Sequence, residues 1–175
     1  MGLRSFRDAL VLDAFTIGKF SSSPCLCSLP DSYMFSCCLS MRAIGMAERT
    51  LDLMIARVTD PSRRTFGHIL AQHGTVAADV AKIRIEINAA RLMVLAAADK
   101  IDRVSAKGAL RDIAMAKVMV PNMLQRAIDL AIQAFGAAGV SQDFPLARFH
   151  AAARSLRIAD GKGMLCALAA KRISY

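Results

Sequence analysis

The sequence predicts an all-α fold, a four-helix up-down bundle, and three observations carry that prediction. From position 41 onward apolar residues recur every three or four places, the spacing of one helix face. Aromatic residues make up only 6% of the chain and Trp is absent, while Ala and Met are abundant, which argues against a run of β-hairpins. A 55% hydrophobic, 21% charged chain of 175 residues can bury one core and is too apolar for intrinsic disorder.

The elements follow in order. Residues 1–40 read as a leader or linker without regular order. Within them, residues 1–19 place Leu3, Phe6, Leu10 and Phe15 near one another on a helix, a targeting-helix pattern that Asp8 and Asp13 oppose. Residues 20–40 are Ser-, Cys- and Pro-containing without periodicity. The bundle spans residues 41–160. Its first helix is marked by Ile44, Ala47, Leu51, Met54 and Val58 and closed by Asp60-Pro61. After a loop through residues 63–74, Val76, Val80, Ile83, Ile87, Ala90, Val94 and Ile101 form a second stripe of about seven turns, a length that demands packing partners. Leu110, Ile113, Val118, Leu124, Ile128 and Ile132 mark a third helix, kinked at Pro121 and stopped at Gly136. A shorter fourth begins at Pro145 and turns Phe149, Ala152, Leu156 and Ile158 inward. Residues 161–175 form a divergent tail.

Charge and cysteine patterns narrow the function classes. The net charge of +9 divides as 0, +6 and +3 over residues 1–40, 41–160 and 161–175, with no run of five like charges. Arg84 near Glu86, Lys100 near Asp99 and Asp102, and Arg111 beside Asp112 look like solvated helix faces, so nucleic acid is not the expected partner. The uncharged run at residues 130–142 is short of a membrane span. Cys25, Cys27, Cys37 and Cys38 lack the separated C-x2-C pairs of zinc modules, and His68, His73 and His150 are scattered, so no metal site is expected. No phosphate loop, H-E-x-x-H or Ser-His-Asp signature occurs. Taken alone, these residues specify a helical bundle, open to oligomer formation, and no chemistry.

Two loops and one dipeptide go further. Arg63-Arg64-Thr65-Phe66-Gly67-His68-Ile69-Leu70 resembles the R-x-x-F-G-x-x-L signature of acyl-CoA dehydrogenases, and residues 133–139, QAFGAAG, resemble their Q-x-x-G-G-x-G segment. In order, spacing and helical context, about 120 residues resemble the C-terminal helical domain of that family, nearest the branch of family members ten and eleven. The resemblance implies α,β-dehydrogenation of a fatty acyl-CoA thioester, FAD as cofactor, electron-transfer flavoprotein as electron acceptor, and residence in mitochondria, with peroxisome or cytoplasm as alternatives. It also implies site residues. Asp160, before Gly161, stands where the family has its carboxylate base. Arg63, flanked by Thr65 and Phe66, matches an arginine reaching the FAD diphosphate of a neighbouring subunit. Gln133, Gly136 and Ala137 match residues near the adenosine.

Read without the resemblance, each has a plainer role. Asp160 is a turn carboxylate beside Arg157 or Lys162, Arg63 an exposed loop arginine with Arg64 as a rival register, Gln133 a helix-terminal polar residue, and Phe135 a core residue. Ser36 stands where the branch carries Arg, Gly74 where many relatives have Gln, and residues 162–175 replace the usual continuation. The 175 residues also offer no candidate for the family's N-terminal helical or middle β domain. The expectation is therefore a partial chain with weak or no activity alone, joining homo-oligomers or full-length subunits.

Overall fold

A computed structural model of the chain describes residues 32–158. Four helices form the expected bundle: α1 (Ser32–Val58), α2 (Gly74–Arg103), α3 (Leu110–Phe135) and α4 (Leu146–Ile158). A hairpin of two-residue strands, β1 (Arg64–Thr65) and β2 (His68–Ile69), with a 3-10 turn at Leu70–Gln72, joins α1 to α2. A second 3-10 segment, Gly136–Val140, follows α3. Polar pairs fix the directions. Glu86 binds Arg126 and Lys100 binds Asp112, so α2 and α3 are antiparallel; Gln125 meets His150 and Lys117 reaches Leu156, so α3 and α4 are too. Lys100 and Glu86 thus bridge helices rather than pairing within α2. Glu48 and Arg91 tie α1 to α2.

The first helix begins nine residues before the boundary expected at position 41. Cys37 and Met41 are buried and continue the stripe of Ile44, Ala47, Leu51, Met54 and Val58 backward at helical spacing. Ser40 donates its hydroxyl to the Ser36 carbonyl at 2.8 Å, a local bond that lets a serine-rich segment lie buried in a helix. Residues 36–40 therefore belong to the bundle and not to the leader. The remainder of the leader, and the tail beyond Ile158, lie outside the described residues.

Helix α3 is the hub, packing on α1, α2 and α4, and its closest association is with α1, which is not its neighbour in sequence. Its buried face includes Ile113, Ala116, Lys117, Val120, Pro121, Leu124, Ile128 and Phe135. Val118, expected inside, is exposed, because α3 turns a broad inner arc that the 113–117–120–124 line follows instead. Ile158 is likewise exposed at the end of α4, where Leu146 and Ala153 make the buried contacts. The helix runs on through Pro121, which lacks the N–H that would reach the Lys117 carbonyl. Buried alanines on α2 and α3, among them Ala90, Ala97, Ala116 and Ala127, let the helices approach closely. Among the described residues no helix is long and apolar enough to cross a membrane.

Candidate functional site

Helices α1 and α3 end side by side. The turn leaving α1 is organised by Asp60, whose carboxylate accepts the Ser62 backbone N–H at 2.9 Å and the Ser62 hydroxyl at 2.6 Å. Those two bonds, and then the nearby Arg63 and Arg57, hold Asp60 below the usual carboxylate pKa. Arg63 donates its backbone N–H to the Asp60 carbonyl at 3.1 Å and places Nε 3.4 Å from the Asp60 carboxylate, with half of its side chain in solvent. In the hairpin, Arg64 faces Ile69 and Thr65 faces His68. The two turn residues, Phe66 (φ 52°) and Gly67 (φ 82°), are both left-handed, as a two-residue type I′ turn requires. Phe66 is 93% exposed at the tip. A non-glycine residue held in that region and turned to water is a strained arrangement that points to use.

Gln133, Gly136 and Ala137 are exposed at the end of α3. Gly136 adopts φ 63°, ψ −141°, a conformation open in practice to glycine. Gly139 is buried against the last turn of α3, where a Cβ would lie 3.0 Å from the Cα and O of Ile132. The two segments meet through Arg57, in the last turn of α1, which donates Nη2 to the Phe135 carbonyl at 3.1 Å with its guanidinium carbon 5.1 Å from the Phe135 ring centroid. Phe135 itself is core, edge-on to Phe144 at 4.7 Å.

The structure thus brings Arg63, Thr65 and Phe66 to the same end of the bundle as Gln133, Gly136 and Ala137. Asp160 and Gly161 lie outside the described residues; the helix that leads to them, α4, ends at the opposite end, where Lys117 donates to the Leu156 carbonyl at 3.4 Å. The rise of α3 from Lys117 to Phe135 separates the two ends by about 27 Å.

Chemically, the first end carries Arg57, Arg63 and Arg64 beside Asp60, with Asp143 bonded to Ser141 in the loop after α3. Guanidinium groups present planar, permanently charged donors suited to phosphate, and the exposed Phe66 adds a flat apolar face. Two residues, one at each end of the bundle, were not singled out from the sequence. Arg57 is the basic residue in the last turn of α1, while α3 ends without one. Lys117, at the other end, is 7% exposed. Of the histidines, His68 is exposed in β2, His73 caps α2, and His150 lies 3.3 Å from Asp129. Among the described residues no group of three or more His, Cys, Asp or Glu is placed to hold a metal ion.

Comparison with known proteins matches residues 36–173 to the family model "Acyl-CoA dehydrogenase, C-terminal domain". Acyl-CoA dehydrogenase family member 10 of Mus musculus is 54% identical over 121 residues, 69% of this chain and 11% of that protein. A solved candidate acyl-CoA dehydrogenase from Mycobacterium abscessus is 42% identical with a TM-score of 0.73, covering 77% of this chain and 33% of its own. PigA, solved with FAD and proline, is 25% identical with a TM-score of 0.74, covering 81% and 36%. The chain therefore spans about a tenth of the length of the mouse relative and about a third of either solved chain.

Proposed function

The chain belongs to the acyl-CoA dehydrogenase family through its C-terminal helical domain, and from that premise we propose that it supplies the helical part of an FAD-dependent dehydrogenase acting on the α,β carbon–carbon bond of fatty acyl-CoA thioesters, with electron-transfer flavoprotein as electron acceptor. The observation that carries this reading is the gathering of Arg63, Phe66, Gln133 and Gly136 at one end of the bundle, beside a surplus of guanidinium charge. Those residues fit a flavin dinucleotide: the Cβ position of Gly136 is open, with nothing within 4 Å, and the buried Arg57 Nε has no hydrogen-bond partner. Arg63 would hold the diphosphate, with Thr65 and Phe66 beside it, and Gln133 with the backbone at Gly136 and Ala137 would hold the adenosine.

When bound, FAD supplies the acceptor for the β-hydride. Asp160 is the proposed base for the α-proton; an aspartate is one methylene shorter than glutamate, so the backbone beyond α4 has to bring it nearer the substrate. The adenosine contacts lie at the end of the bundle opposite to the one where α4 finishes at Ile158, which fits sites completed between subunits. Weak or no turnover by the 175-residue chain alone, and action in mitochondria or peroxisomes, belong to the same reading. FAD titration, with flavin absorbance read after gel filtration, tests it on the chain alone and mixed with a full-length relative. Retention in either sample supports a cofactor-contacting subunit; loss in both refutes it.

A second reading, a non-catalytic oligomerisation module, is favoured by the outer face of α2. Ile85 and Leu92, seven residues apart, are 67% and 68% exposed with Ala81 and Ala89 exposed nearby. Oligomers at micromolar concentration by light scattering are expected under it, and a clean monomer would exclude it.

A further inference from the structure

The Arg57 side chain lies between the two segments assigned to the cofactor, and it belongs to neither family motif. Its contacts on α3 are of two kinds. The Phe135 carbonyl is among the last four of that helix, which have no intrahelical donor, and α3 has no basic residue of its own in the last turn; Arg57 supplies both donor and charge. Its guanidinium also lies over the Phe135 ring, whose edge contact with Phe144 links the start and finish of the loop between α3 and α4. On its own helix, Arg57 stands three residues before Asp60, the carboxylate that shapes the turn and pairs with Arg63. Burial, and after it the like charge of Arg63, lower the Arg57 pKa, with Asp60 acting in the opposite direction. An anion shared by Arg57 and Arg63 would relieve that repulsion.

We propose that Arg57 is a positioning residue that locks the loop after α3 to the hairpin after α1 at one spacing, so that a single dinucleotide can engage both segments. The proposal rests on the FAD reading above. Lysine carries the charge but lacks the planar face and cannot donate and stack together.

The test uses the full chain with Arg57→Met and Arg57→Lys, in whichever sample retains FAD, with two readouts. Amide hydrogen exchange at residues 138–141 should quicken at least tenfold in R57M, with the middle of α2 unchanged, and the FAD dissociation constant should rise tenfold or more. R57K should fall between R57M and wild type in both. Combined with Arg63→Met, R57M should cost less than the product of the two single effects, a coupling that general destabilisation would not produce. If R57M does not fold, R57K decides alone. Unchanged exchange in the folded variants overturns the lock, and quickened exchange with unchanged FAD affinity overturns its role in binding. Absence of FAD from wild type in every sample overturns the cofactor reading and the dinucleotide role together, while the exchange result still decides whether Arg57 holds the loop.

Discussion

Replacing Gly139 with alanine should destabilise the bundle, and the structure sets the size. A Cβ at that position would stand 3.0 Å from the Ile132 Cα, the Ile132 carbonyl oxygen and the Phe135 Cβ. Two of those atoms are backbone in the last turn of α3, which cannot swing aside as a side-chain tip can. Overpacking of this kind costs about 1–3 kcal/mol. For the 127 residues from 32 to 158, an unfolding entropy of about 2.1 cal/mol/K per residue converts that cost to a melting-point drop of roughly 4–11 °C. Gly74 is the control. It opens α2, and a Cβ there meets nothing within 4 Å, so Gly74→Ala should gain up to about 1 kcal/mol by removing glycine's backbone freedom. Thermal melts followed by circular dichroism at 222 nm, at one protein concentration, read both variants. A Gly139→Ala protein as stable as wild type, or a Gly74→Ala protein less stable than it, would refute the packing argument.

Two further predictions concern buried groups. Lys117→Met should lose about 1–3 kcal/mol in urea denaturation and speed amide exchange in the last turn of α4, because the Leu156 carbonyl loses its donor; an unchanged midpoint would mean that carbonyl is satisfied otherwise. Burial pushes the Cys37 thiol up from 9.0 to about 12, so folded protein should resist iodoacetamide at Cys37 while the partly exposed Cys38 reacts first. The folded state holds that proton more tightly than the unfolded one. The resulting stability is fully present below pH 9 and is lost as pH rises toward 12, which denaturation at pH 8 and 11 would detect.

The helices were legible because α1 and α2 obey one simple spacing: Ile44, Leu51 and Met54, or Ile83, Ile87 and Val94, are all buried as their periodicity implies. The start of α1 was not, since serine and cysteine give no helical signal until Ser40 is seen to bond back to Ser36. Nor was the hairpin, whose strands are too short for any alternation to show. On α3 the pattern misled. A hub helix covered from several sides buries residues around much of its circumference, so Val118, expected inside, is exposed while Lys117 beside it is buried. At the candidate site, Arg63, Phe66, Gln133 and Gly136 could be singled out by family resemblance alone, for an exposed arginine and an exposed glycine carry no chemistry by themselves. Arg57 was invisible because its meaning depends on two helix ends that are 78 residues apart in sequence.

The packing of α1 more on α3 than on α2 has a cost during synthesis. When the ribosome has finished α1, the stripe from Cys37 to Val58 has been made, but the helix that covers most of it is not complete until Phe135. At translation speeds of about 5–20 residues per second, that interval lasts roughly 4–15 s. For that time the part of this apolar face that α3 covers stands open on the nascent chain, a natural target for holding chaperones and the stage at which crowded synthesis is most prone to aggregate.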